Sequence, residues 1–96
     1  MPEERRSELR HRVRIPVRME KGFGETRDIS VGGIYFFTSD PIREDVPLTV
    51  RIPFETKQTG AIDVRYTGRV LRVESHGNRN GIALAVQKIA FEPKQN

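Results

Sequence analysis

Apolar and polar residues alternate strictly along two stretches of the chain, residues 13–19 (VRIPVRM) and 46–54 (VPLTVRIPF). Successive side chains of a β-strand point to opposite faces, so this period of two is typical of a strand with one buried face. The pattern predicts two half-buried strands whose prolines fall on the outer face. The side chains expected to point inward are Val13, Ile15, Val17, Met19, Val46, Leu48, Val50, Ile52 and Phe54.

A third alternating stretch, residues 61–75, changes phase partway along. Its apolar positions are even-numbered from Ile62 to Val70 and odd-numbered at Leu71 and Val73. A change of phase inside a strand indicates an extra residue, a β-bulge. We therefore expect one long strand with a bulge or sharp coil at residues 68–71, and with Leu71 and Val73 turned inward beyond it.

Three further strands complete the pattern. Residues 26–36 (TRDISVGGIYF) predict a strand, a tight turn at the paired glycines and a second strand, while residues 82–86 (IALAV) predict the last one. Six short antiparallel strands close most simply into a barrel, because closure removes unpaired edges. The predicted fold is an all-β, six-stranded antiparallel β-barrel over residues 13–91. A flexible basic arm is expected at residues 1–12 and a short tail at 92–96.

The positive charge is concentrated at the N-terminus. The chain has a formal net charge of +4, and residues 1–18 contain six arginines and three glutamates, so they hold three of the four excess charges. The arm is expected to bind an anionic, planar partner, because guanidinium groups grip phosphates and stack on rings. The lack of cysteine fits a reducing cytoplasm. The chain has neither an apolar run long enough to span a bilayer nor a secretory signal, so we expect no membrane insertion.

Catalytic and metal-binding chemistry are not predicted. The two histidines, His11 and His76, lie in the arm and in a turn, and the sequence has no phosphate loop, nucleophile elbow or set of metal ligands. Asp28 and Ser30 have no histidine near them in the sequence, so they do not form an activated nucleophile. We therefore expect a binding protein without a catalytic site, metal or cofactor.

Arginine spacing in the arm suggests a clamp. Arg6 and Arg10 are four residues apart, and Arg5 precedes them. In a turn-like arm the two guanidiniums fall on one side, where each can bond a phosphate or the O6/N7 edge of guanine. The spacing alone is not specific, because Arg14 and Arg18 extend it along the chain.

The segment around the paired glycines carries complementary groups. Asp28 and Ser30 are two residues apart and so share a face of a strand, just before Gly33. The carboxylate can accept from the N1–H and N2–H₂ groups of guanine, the hydroxyl can bond a phosphate, and the glycine lets a flat base approach the backbone. A guanine nucleotide fits this chemistry better than adenine does. Asp and Ser beside glycine also commonly bond their own backbone in turns, which is the structural alternative.

The order of these motifs resembles the PilZ domain, the bacterial receptor for cyclic di-GMP. The family pattern is Arg-Arg-x-x-x-Arg, then a strand with an apolar-Pro-Val step, then Asp/Asn-x-Ser-x-x-Gly. The matching segments are residues 5–10 (RRSELR), 15–17 (IPV) and 28–33 (DISVGG), with further similarity at 68–70 and 81–83. The apolar-Pro-Val step sets the register, so Arg6 and Arg10 correspond to the family's arginine pair. The resemblance covers about residues 5–91.

The resemblance implies a cytoplasmic receptor in second-messenger signalling. The ligand would bind on the outer surface of the barrel and order the arm, and a downstream protein or fused domain would detect the change. Arg5 resembles the residue found in members that take two intercalated ligand molecules. The ligand-binding residues that the resemblance implies are Arg5, Arg6, Arg10, Asp28, Ser30 and Gly33.

The chain departs from the family pattern at its end. Many members have a helix after the last strand, but residues 89–96 (IAFEPKQN) are too short and contain a proline, so we expect that helix to be absent or minimal. Ile89 and Phe91 are then expected to pack across a barrel mouth or to mark a missing partner.

Two alternative functions remain open on the sequence. A small barrel that binds RNA or single-stranded DNA would use the arm together with Tyr35, Phe36 and Phe37 as a stacking surface. The near balance of acidic and basic residues outside the arm makes nucleic acid the less favoured partner. The other alternative is a protein-interaction module that has lost ligand binding.

Overall fold

The computed structural model describes residues 10–58 and 60–93, and within them the chain forms seven β-strands and no helix. No helix in this part of the chain could cross a lipid bilayer. The strands are β1 (His11–Arg12), β2 (Pro16–Met19), β3 (Gly22–Ile29), β4 (Gly33–Thr38), β5 (Pro47–Thr56), β6 (Gly60–His76) and β7 (Arg79–Pro93).

Six of these strands close into the predicted barrel. Neighbours around the ring are β3, β2, β5, β6, β7 and β4, and the pairing of β4 with β3 completes it. Every pairing is antiparallel, which confirms the predicted fold. The seventh strand, β1, is a two-residue addition in which His11 pairs with Ile29 and Arg12 with Asp28 of β3. Strand pairing thus begins inside the stretch 1–12, and β7 continues to Pro93.

Inward-facing residues of all six barrel strands form one core. Phe36, Val17, Val50, Ile52 and Ile82 are completely buried, and half-buried apolar side chains pack around them. Alternation in residues 13–19 and 46–54 identified the inner face correctly at all but one position, with Ile15, Met19, Val46, Leu48 and Phe54 among the half-buried residues packed on the core. The inward assignment of Val13 is wrong, because the strand is interrupted after β1 and Val13 lines a surface hollow instead.

The stretch predicted as a first strand, 13–19, is divided. Residues 13–15 lie between β1 and β2 and are held to β3 partly through a side chain. The Thr26 hydroxyl donates to the Val13 carbonyl and accepts from the Ile15 amide at 2.9 Å. Backbone bonds from Val13 N to Arg27 O (3.2 Å) and from Thr26 N to Ile15 O (2.9 Å) complete the attachment.

The long strand β6 contains the predicted bulge, but the prediction that Leu71 points inward is wrong. The register between β6 and β7 shifts between Val70 and Arg72, so Leu71 is the extra residue of a bulge. Its side chain is 61% exposed, whereas Val73 packs on the core as expected. A second shift, between Thr67 and Gly68, leaves Gln87 as the extra residue of β7.

Candidate functional site

A bulge in β3 builds the centre of the site. Thr26 pairs with Phe36 of β4 and Asp28 pairs with Tyr35, so Arg27 is an extra residue between two registers. Opposed residues of an antiparallel pair share a face. Thr26 therefore lies with Phe36 on the core side, and Asp28 lies with Tyr35 on the outer side. In a regular strand, Thr26 and Asp28 would lie on the same face. The extra residue puts them on opposite faces, so the Asp28 carboxylate lies on the outer side of the barrel.

Asp28 joins the two motifs that the sequence singled out. Its Oδ1 is 2.7 Å from an Nη1 of Arg10, and its Oδ2 is 2.7 Å from Nε of Arg27. The Asp28 side chain is only 4% exposed, whereas that of Arg10 is 57% exposed. The carboxylate is thus enclosed by two guanidiniums on the barrel surface. Arg5 and Arg6 lie outside the described residues.

The turn after β3 is held by its own polar groups and by β7. Ser30 donates to the Gly33 carbonyl from its backbone N at 2.8 Å and from Oγ at 3.2 Å. The Gly32 carbonyl accepts from Val86 N at 3.0 Å. A Cβ at Gly33 would lie 3.4 Å from the Leu84 carbonyl, an ordinary van der Waals contact, so packing against β7 does not itself require a glycine there. Ser30 and Gly33 therefore shape the backbone next to Asp28.

An aromatic side chain that the sequence analysis did not assign to the site lies beside Asp28. The Arg27 guanidinium stacks 4.0 Å from the centre of the Tyr35 ring. The Tyr35 hydroxyl donates to Glu74 at 2.5 Å and lies 3.1 Å from Nε2 of His76. To reach β6 the ring crosses β7 at Gly81, where a Cβ would collide with it. The glycine thus permits a contact chain from β3 to β6.

A second stacked pair extends this surface. Phe37 meets Tyr35 and His76 edge to face, with ring centres 5.5 and 5.4 Å apart, and the Arg79 guanidinium covers its ring at 4.2 Å. Cations over aromatic faces are held by the ring quadrupole. The outer side of β4 is therefore covered by two arginines from neighbouring strands.

Positive charge dominates the hollow between these groups and the segment after β1. The hollow has a volume of about 240 Å³. Four arginines and one carboxylate line it together with Val13, Thr26 and Phe37: Arg12, Arg14, Arg27, Arg79 and Glu25. Such a concave, arginine-rich surface suits a phosphate with an attached planar base.

Hydrogen bonding controls ionisation on this surface. The bond from Tyr35 and the contact with Arg72 lower the pKa of Glu74 from 4.5 to about 2. Burial and the bond to Glu74 raise the pKa of Tyr35 above its ordinary 10.0. Glu74 therefore stays anionic through the neutral range and Tyr35 stays protonated, which preserves their hydrogen bond.

The sequence only partly indicated the site residues on and around the outer face of β4. The run 34–37 is apolar on both faces, which indicated an outer face that is covered or in contact with something. Nothing local identified what would cover it. Arg27, Glu74, His76 and Arg79 come together with the aromatics only through strand register.

Comparisons with known proteins agree with the fold and the motif order. A family profile described as the PilZ domain matches residues 4–95. A search of curated proteins gives no match. Among solved structures, the inhibitor of motility MotI/DgrA of Bacillus subtilis superposes with a TM-score of 0.74 at 19% identity. The match covers 94% of this chain and 48% of that one, so the chain spans about half of its length.

Proposed function

This chain belongs to the PilZ domain family, and we propose that it is a receptor for cyclic di-GMP in bacterial second-messenger signalling. PilZ domains are binding and regulatory modules, so the proposed activity is recognition without chemistry. We place the protein in the cytoplasm, where the second messenger acts. A protein partner or a fused domain would then respond to the ligand-bound state.

The observation that carries this proposal is the contact between Arg10 and Asp28. These residues belong to two motifs 18 positions apart, and their side chains meet at 2.7 Å on the outer barrel surface. The meeting places a guanidinium, which can bind phosphate or guanine N7 and O6, beside a carboxylate that can accept from guanine N1–H and N2–H₂. These are complementary parts of a guanine nucleotide.

In the proposed complex, Arg6 and Arg10 clamp guanine and phosphate, while Asp28, Ser30 and Gly33 form the surface beneath. Binding orders the arm against the barrel and changes the surface that a partner meets. Arg5 would contact a second ligand molecule. The nearby arginine-rich hollow supports this by supplying positive charge next to Asp28.

Calorimetric titration with cyclic di-GMP tests the proposal. We expect saturable binding by the wild-type protein and a loss of at least about tenfold in affinity for Arg10→Ala, because charge-assisted hydrogen bonds are the strong ones. Arg6→Ala should behave similarly. The matched control is Arg43→Ala, an exposed arginine in the loop between β4 and β5. Equal binding by Arg10→Ala and the control would contradict the assignment.

The burial and covering of the aromatic side chains argue against the nucleic-acid alternative. Phe36 is completely buried in the core, and Tyr35 is 4% exposed beneath Arg27. Phe37 is covered by Arg79. Stacking of unpaired bases requires open ring faces. Titration with a single-stranded homopolymer should therefore give no saturable signal, and tight binding to it would favour the alternative.

A further inference from the structure

One edge of β7 is unpaired near its end. Residues Asn80–Ala85 of β7 pair with β4, and Val86 N bonds to the Gly32 carbonyl. Within the described part of the chain, residues 87–93 of β7 have a strand neighbour only on the β6 side. An unpaired edge of this length is a template for another strand.

The side chains along this edge separate by face. Ile89 and Phe91 lie on one face with 39% and 70% of their surfaces exposed. Glu92 lies on the other face, where it contacts Arg65 at 2.7 Å, and Lys88 and Ala90 line the same outer surface groove as Arg65. The edge therefore has an apolar face and a charged face that carries both signs.

We propose that this edge pairs with the same edge of a second copy of the chain, antiparallel and centred on Ala90. A two-fold interface joins residue i to j and j to i. Centring on Ala90 places Lys88 opposite Glu92 of the second copy, and Ile89 opposite Phe91. The two-fold axis repeats each contact, so the interface contains two Lys88–Glu92 pairs and two Ile89–Phe91 pairs.

The sequence favours this register over its neighbours. A shift by one residue would place Lys88 opposite Phe91 or Ile89 opposite Glu92. A shift by two would place Glu92 opposite Val86 or Ala90, so the opposite charges would no longer meet. Only the register centred on Ala90 matches both the charge pair and the apolar pair.

The groups inside one copy are compatible with this pairing. Glu92 is already oriented by Arg65 at 2.7 Å and by Arg51 at 3.6 Å, one at each carboxylate oxygen, and each oxygen retains a further acceptor position. Lys88 makes no ion pair within the described residues, so the second copy supplies its opposite charge. The edge lies on β7 beyond β4, and this proposal does not depend on ligand binding at Asp28.

Sedimentation equilibrium on the 96-residue chain tests the proposal. Between about 10 and 500 µM, the weight-average mass should rise from that of one 11.0 kDa chain toward that of two, as mass action requires. Lys88→Glu and Glu92→Lys should each raise the dimer dissociation constant about tenfold or more, since each sets like charges opposite one another. The control Lys57→Glu reverses an exposed lysine on the β5–β6 turn, across β6 from this edge, and should have no effect.

Mixing the two reversed variants separates the register from general effects of charge. In a mixed pair, the substituted position 88 of one variant faces the substituted position 92 of the other, and these two side chains have opposite charges. The unsubstituted Glu92 of the first variant likewise faces the unsubstituted Lys88 of the second. An equimolar mixture should therefore associate where each variant alone does not. Circular dichroism melts establish that each variant is folded. A wild-type protein that stays monomeric at the highest concentration would overturn the proposal. So would a mixture that associates no better than its components.

Discussion

The Thr26 hydroxyl connects the arm-bearing segment to the barrel, and its removal should destabilise the fold measurably. The side chain is 2% exposed and replaces two rungs of the ladder, bonding the Val13 carbonyl and the Ile15 amide. Thr26→Val keeps the shape of the side chain but exchanges the hydroxyl for a methyl group. Both backbone groups then lose their partner.

The magnitude follows from these two bonds. A typical intramolecular hydrogen bond contributes roughly 1 kcal/mol net, and a buried group left unsatisfied costs about 1–3 kcal/mol. Val13 and Ile15 are half-buried, so water can reach them in part, and the lower end of the range applies. We expect a loss of about 2 kcal/mol in the free energy of unfolding, which lowers the melting temperature of a domain this size by about 10 °C.

Urea and thermal unfolding, followed by circular dichroism, measure this loss. Thr26→Ser keeps the hydroxyl and should retain most of the stability. Thr49→Val is the matched control, because within the described residues its hydroxyl bonds only to the Thr67 hydroxyl on the outer surface, at 3.3 Å. Faster hydrogen exchange at the Ile15 amide should accompany the change. Thr26→Val as stable as the control variant would refute the reasoning.

The remaining predictions concern the outer surface of β3, β4 and β6. Gly81→Ala should lower the melting temperature in scanning calorimetry, because a Cβ there would collide with the Tyr35 ring. Tyr35→Phe should return the pKa of Glu74 from about 2 toward 4.5. A depressed carboxyl pKa stabilises the fold above pH 4.5 and loses that effect as pH falls toward 2. The variant should therefore show a weaker acid dependence of its melting temperature, and carboxyl NMR titration should detect the pKa change directly. Asp28→Asn should weaken cyclic di-GMP binding about tenfold or more in calorimetry, since the charged acceptor is lost. Wild-type affinity should also fall as salt is raised, because phosphate contacts are screened.

Strand positions could be predicted wherever one face of a strand is buried. Val17, Val50 and Ile52 are inward because alternation and burial select the same face. The bulge in β6 was also visible, but its extra residue was not. Val70 and Leu71 are both apolar, so hydropathy could not decide which of the two faces the core, and hydrogen-bond register left Leu71 outside.

The candidate site was harder to predict from the sequence than the strands were, because its contacts join residues on several strands. The resemblance in motif order assigned Arg10 and Asp28 to one binding surface, which local propensity could not do, but their direct contact is seen only in the structure. The bond between Tyr35 and Glu74 depends on how β4 and β6 align on either side of β7. Gly81 permits it by lacking a side chain at the crossing point, and a lone glycine beside a turn carries no such signal in the sequence.

The enclosure of Asp28 constrains how a ligand can reach it. A guanine edge needs the carboxylate oxygens, and both now contact guanidiniums. Arg27 is held by Asp28 and by the Tyr35 ring, which is itself bonded to Glu74. Arg10 is the more exposed of the two and is held in the described structure by Asp28. In the proposed complex, Arg10 is therefore the group that moves, exchanging its carboxylate partner for the ligand's phosphate or guanine, while Arg27 keeps Asp28 oriented. The same exchange makes the position of the arm depend on the ligand, which is the property a receptor requires.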